Sequence, residues 1–171
     1  MQAIRMKTEA LYDPMGIDIQ HPMLEWNCEG GVRQTAYQIV TESWDSGKVQ
    51  TSSMRAEHPE KLDSRQRVTW KIRLWDEHDQ CGEWRSASFE MGLLQEDDWV
   101  ARWITGDYTV NPRLRYPVDC FQRVFEVAQP VASARLYITA CGLYEARLNG
   151  EKAGRFCLAP GHTDYRRRVQ Y

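Results

Sequence analysis

"RVTWKIRLWDE", residues 67–77, is the stretch whose reading decides the fold. Val68, Trp70, Ile72 and Leu74 fall on one side of it, and Thr69, Lys71, Arg73 and Trp75 on the other. Successive side chains of an extended backbone point to opposite faces, so a two-residue period held this long is that of a half-buried β-strand. A helix would instead repeat its apolar positions every three to four residues.

The same pattern recurs outward from this strand. In "QTAYQIVT" (34–41), Tyr37 and Ile39 oppose Gln38 and Val40. "MLEWNC" (23–28) adds Leu24 and Trp26, and "SASFEMG" (86–92) adds a strand around Phe89. Between them stand turn formers: Asp13-Pro14, Gly30-Gly31, Asp45-Ser46-Gly47 and Gln80-Cys81-Gly82. No segment before position 93 holds a helical period over helix length. Short strands punctuated by such turns predict an all-β sandwich.

Residues 93–103, "LLQEDDWVARW", change character. Three acidic residues precede Trp99 and Trp103, which suits a short helical turn or linker whose two rings pack between the flanking units. Strand patterns then return in "CFQRVFEV" (120–127) and "ARLYITACGLYEARLNGEKAG" (134–154). Asn149-Gly150 in the second stretch is a type I′ hairpin signal, because both central residues of that turn need positive φ. The expected organisation is a sandwich over 1–93, a linker over 94–103 and a second β-unit over 104–171. The second unit holds roughly half to two-thirds of an eight-stranded double-sheet jelly roll. We therefore expect a piece of a longer protein, and an exposed sheet edge through which two copies would pair as a homodimer.

Composition narrows the partners. The chain is 42% hydrophobic and 27% charged, with a net charge of −2, which is globular and gives no basic face for nucleic acid. Arg166-Arg167-Arg168 reads as a solvated edge. The seven Trp and eight Tyr are read as sheet core, the ordinary fate of aromatics, rather than as a sugar-stacking platform. Five widely spaced Cys, with no CxxC pair and no His at zinc-finger spacing, imply reduced thiols, no metal site and a cytoplasmic location. No run reaches the ~20 apolar residues of a membrane span or forms a signal peptide, so no membrane partner is expected.

Catalytic motifs are missing: there is no G-x-S-x-G, no phosphate loop and no H-E-x-x-H. Asp97/Asp98 and Asp76/Glu77 are adjacent carboxylates, whereas glycoside cleavage needs two carboxyls facing across a bond roughly 5–10 Å apart. No catalytic residue and no cofactor is assigned. His162, Asp164 and Tyr165, after Pro160-Gly161, form a loop able to hydrogen-bond and stack on a sugar, and are the candidate carbohydrate-binding residues. The same residues also compose a plain turn in which Thr163 or Asp164 bonds nearby backbone.

The order and spacing of the segments carry a resemblance. "DPMGIDIQHPMLEWN", "RQTAYQIVTES", "WDSGKV", "LDSRQRVTWKIRLWDEHDQCGEWRSASFEMGLL" and "DWVARWI" are followed by "ARLYITACGLYEARLNGEKAG" and "LAPGHTDYRRRVQY". Together they resemble the N-terminal region of bacterial α-L-rhamnosidases, inverting glycoside hydrolases with an (α/α)6 barrel. The resemblance implies a fibronectin type III/immunoglobulin-like β-sandwich followed by a partial β-jelly-roll domain. It also implies partners in the remaining domains of the parent glycosidase, with rhamnosylated small molecules as ligands. In that family the acid and base carboxylates lie in the barrel, so none maps here. An accessory role follows, with a carbohydrate-binding module as the alternative. Val68 stands where relatives usually carry Tyr, and His162 where they usually carry Trp, which puts any sugar contact at 162 in question.

Overall fold

A computed structural model describes all 171 residues, which divide into two units, Met1–Thr105 and Gly106–Tyr171. The first unit holds β1 (Gln2–Thr8), β2 (Met15–Ile17), β3 (Met23–Glu29), β4 (Ala36–Val40), β5 (Val49–Gln50), β6 (Arg55–Glu57), β7 (Arg67–Trp75) and β8 (Arg85–Met91). They form two sheets, β1-β3-β6 and β2-β8-β7-β4-β5. All pairings are antiparallel except β2 with β8. This is the all-β sandwich expected from the alternation.

The strand that decides the fold lies inside the larger sheet, between β8 and β4. Trp70, Ile72 and Leu74 are 0% exposed. Opposite them in the core are Leu24 and Trp26 from the smaller sheet, with Ile39, Phe89 and Met91 from their own. Val68 faces Phe89 across the β7–β8 pair and is also buried. Fully burying one such side chain stabilises by about 1.5–3 kcal/mol, so this alternating row is a large contributor to the unit's cohesion.

Polar groups inside the sandwich are placed at its joints. Gln34, 4% exposed, accepts from Trp26 Nε1 at 2.8 Å and donates through Nε2 to the carbonyls of Thr51 (3.3 Å) and Ser53 (2.8 Å). It thereby ties β3 to the β5–β6 connection. Buried Asp76 accepts from the N–H groups of His78 and Gln80, both at 2.9 Å, closing the turn after β7. After β8 the chain makes one 3-10 turn, η1 (Glu96–Asp98), at the position expected for a helical turn. Trp103 is 64% exposed, against the expectation that it would be a packed ring, while Trp99 is half-buried.

In the second unit, β9 (Leu143–Tyr144) pairs with β12 (Ala159–Pro160), and β10 (Arg147–Leu148) pairs with β11 (Glu151–Lys152). Asn149 (φ 51°) and Gly150 (φ 86°) join β10 to β11, so the expected two-residue hairpin with positive φ at both positions is present. The alternating stretches 120–127 and 134–140, expected as strands, form no ladder. Alternation specifies which face a residue occupies, but a strand also needs a neighbouring backbone to pair with. Every residue from Leu93 onward is at least partly exposed. No helix is long and apolar enough to cross a membrane.

Candidate functional site

The loop after β12 is the place the sequence marks for a ligand. Asp164 organises it: its carbonyl accepts from the N–H groups of Arg167 (2.8 Å) and Arg168 (2.9 Å), and its Oδ1 accepts from Arg166 N–H and Nε, both at 3.3 Å. Arg167 Nε lies 3.9 Å from Oδ2. His162 and Tyr165 meet directly, with Nδ1 and the phenol oxygen 2.9 Å apart and the rings edge-to-face at 5.3 Å between centroids. The structure thus brings His162 and Tyr165 together as one exposed pair and sets the Asp164 carboxylate apart, among arginines. The turn chemistry uses Asp164 as a capping group. The imidazole–phenol pair is a hydrogen-bonding edge of the kind a polyol can meet.

The carboxylates weighed as catalysts are held in structural contacts. Asp98 Oδ2 accepts from Ser64 Oγ and from Gln95 N–H (3.0 Å), while Arg65 donates to the Asp98 carbonyl at 2.9 Å. The Ser64 hydroxyl first, then the Gln95 amide, hold its carboxyl below the usual carboxylate range. Glu77 Oε2 accepts from Val32 N–H (3.0 Å) and Arg33 N–H (3.1 Å), pinning the β3–β4 connection to the turn after β7. Its own amide, followed by those two, lowers its pKa from 4.5 to about 2. Glu145 pairs with Arg147 at 2.8 Å and with Lys152 at 3.9 Å across the Asn149-Gly150 hairpin, where Glu151 also sits. Asp97 is exposed on η1.

A further constellation, which the sequence reading did not single out, lies on the outer face of the five-stranded sheet. Arg73 donates through Nε (2.9 Å) and Nη2 (2.7 Å) to Gln38 Oε1, and Gln38 Nε2 donates to Asp45 Oδ1 at 2.7 Å. The Arg73 guanidinium carbon stands 4.7 Å from the Trp84 ring centroid and 5.1 Å from that of Trp75. Lys48 Nζ lies 4.8 Å from the Trp75 centroid. The hydrogen bond from Gln38, then the Gly47 amide, holds the Asp45 carboxyl below its usual range. Alternation had placed Arg73 and Trp75 together on the face opposite the core row, and there the cations cover Trp75 so that it is buried. Trp84 sits just before β8, where no period reveals its face.

The family described as "Rha78A-like, N-terminal immunoglobulin domain" matches residues 3–95, and "Alpha-L-rhamnosidase N-terminal domain" matches residues 129–171. An alpha-L-rhamnosidase of Formosa agariphila is 33% identical over 95% of this chain and 20% of its own length. One from Alteromonas sp. (strain LOR) gives the same identity and coverage. The solved structure of native alpha-L-rhamnosidase from Aspergillus terreus superposes with a TM-score of 0.62 at 25% identity, over 98% of this chain and 21% of that one. The chain therefore spans about 20% of the length of the curated relatives it matches.

Proposed function

The chain belongs to the family of Rha78A-like N-terminal immunoglobulin domains, and from that premise we propose that it is the accessory N-terminal part of an α-L-rhamnosidase. The parent enzyme hydrolyses terminal α-L-rhamnosyl groups of glycosides with inversion. A general base activates water there and a general acid protonates the leaving oxygen, both supplied outside these 171 residues. The observation that carries this reading is the succession of the two N-terminal rhamnosidase matches, over 3–95 and 129–171, in one chain. In this reading residues 1–93 are the sandwich, 94–103 the connection and 104–171 the opening of a jelly roll. The exposed apolar side chains of the second unit, such as Leu136 and Phe156, are the surface that the remaining domains of the parent would cover.

The role is that of a scaffold, packed against the parent's other domains and shaping the approach to their active site. Asp76, Glu77, Asp98 and Glu145 support it, because each is held in a turn, a loop anchor or a hairpin pair. A second reading, favoured by the exposed His162–Tyr165 pair, makes the loop a carbohydrate-binding site for rhamnosides, with Asp164 beside it. Five free thiols suit a cytoplasmic setting. A homodimer through an open strand edge would appear as a doubled mass in light scattering.

The decisive experiment compares the 171-residue chain with the full-length parent on a chromogenic α-L-rhamnoside. Turnover by the parent and none by the chain is expected; turnover by the chain would overturn the scaffold role. Titration of the chain with L-rhamnose addresses the loop: saturable binding lost in Tyr165→Ala would establish the module, and its absence at millimolar sugar would leave the scaffold.

A further inference from the structure

The stack on the outer face of the five-stranded sheet has an open end. Trp75 is covered by Arg73 on one side and approached by Lys48, and only 8% of it is exposed. Trp84, with Arg73 as its one cation, remains 41% exposed. The Arg73 guanidinium set against its ring is itself fixed by both hydrogen bonds to Gln38. An aromatic surface positioned before ligand arrives loses little freedom on binding.

Beside Trp84 lies a cleft of about 450 Å³ lined by Val40, Lys71, Arg85 and Ser86. The sheet register builds it: Val40 on β4 stands opposite Lys71 on β7, which stands opposite Ser86 on β8. One row across three strands therefore sets an apolar side chain, an ammonium and a hydroxyl next to a half-open indole. Of the two charged residues lining the cleft, Lys71 offers its ammonium, whereas the Arg85 guanidinium is engaged with Gln2 Oε1. The nearby carboxylate of the stack, Asp45, is committed to Gln38 and to the Gly47 N–H at 2.8 Å.

We propose that this face is a saccharide site that takes a pyranose ring bearing a carboxylate, its apolar side against the Trp84 indole and its carboxylate on Lys71. A flat amphipathic ring with few fixed polar contacts matches a hydrophobic plane flanked by a small number of placed donors. Ser86 Oγ serves a ring hydroxyl. The ligand is an acidic unit of an oligosaccharide, chemically distinct from the neutral rhamnosyl group of the proposed reaction. The site lies in Met1–Thr105, whereas the His162–Tyr165 loop belongs to the other unit.

The test titrates the 171-residue chain with trigalacturonate and with its methyl ester, following the Trp84 indole N–H by two-dimensional NMR and the heat by calorimetry. A saturable shift of Trp84 is expected with the acid, with the ester weaker by about threefold, the scale of one exposed charge contact. Trp84→Ala should weaken binding about threefold to tenfold through loss of the ring surface. Lys71→Gln, at an exposed position that leaves the core alone, should make acid and ester equal while the Trp84 shift persists. An unmoved Trp84 signal at millimolar acid, equal affinity for acid and ester in the unaltered chain, or an unaffected preference in Lys71→Gln would each overturn the proposal. None of these outcomes bears on rhamnoside turnover by the parent, which is read separately.

Discussion

Replacing Gln34 with Leu should destabilise the sandwich far more than a near-isosteric change on a loop would suggest. The side chain is 4% exposed and bridges Trp26, itself 3% exposed, to the Thr51 and Ser53 carbonyls. Leucine leaves the indole N–H without an acceptor in a dry site, which costs about 1–3 kcal/mol. Losing the two carbonyl bonds adds about 0.5–1.5 kcal/mol each, part of which water restores because Ser53 is exposed. The apolar replacement returns about 1–2 kcal/mol through burial. The expected net loss is about 2 kcal/mol, or roughly 8–16 °C in melting temperature for a unit of about a hundred residues. Urea denaturation followed by near-UV circular dichroism, which reports the packed Trp26 and Trp70, should show a lower midpoint at unchanged slope. In a Trp26→Phe background the same substitution should cost about 1 kcal/mol less, because the orphaned donor is gone. A loss under about 0.5 kcal/mol, or strict additivity of the two changes, would refute the account.

Other perturbations follow from the same contacts. Glu77, with its carboxyl held at about 2 instead of 4.5, contributes stability that is complete above pH 4.5 and lost as the pH falls toward 2. Glu77→Gln should flatten the fall in urea midpoint across that window, and an unchanged slope would count against the amide anchoring. Gly150→Ala meets no heavy atom within 4 Å, so its cost is the φ of 86° alone, about 1 kcal/mol, read as faster amide exchange at Lys152 and Ala153. Burial pushes the Cys28 thiol up, so at pH 8 it should react with a disulfide reagent after exposed Cys81, Cys120, Cys141 and Cys157. Simultaneous reaction of all five would contradict its position under Gln34.

How much was legible depended on whether the information was local. Val68 to Leu74 announced their face because burial of alternate residues is written directly into the pattern, and Asn149-Gly150 announced its turn because few residues accept positive φ. The bulged β1, whose register shifts between Ile4 and Lys7 with Arg5 at φ 48°, has no clean alternation to read. The ladder missing from 120–127 illustrates the converse, a face pattern without a pairing partner. At the candidate loop, residue types were legible but their contacts were not: nothing in "GHTDY" reveals that His162 and Tyr165 bond each other while Asp164 turns to the arginines. Trp84 was hidden for a related reason. Its neighbour Arg73 lies eleven residues away and reaches it only through the β7–β8 pairing.

The direction in which the acids are shifted bears on the proposed division of labour. An inverting glycosidase needs one carboxyl kept protonated near neutrality, which requires its pKa to be raised by a dry site or a neighbouring carboxylate. In this chain Asp45, Glu77 and Asp98 are all moved the other way. Gln38, the amides of Glu77, Val32 and Arg33, and Ser64 donate respectively to the three carboxylates and favour the charged form. Each shift comes from a contact that also closes a turn or anchors a connection, so keeping any of the three protonated near neutrality would mean losing that contact. A scaffold benefits from such groups because they strengthen its loops across the neutral range. None of the three is suited to be the proton donor of the proposed reaction.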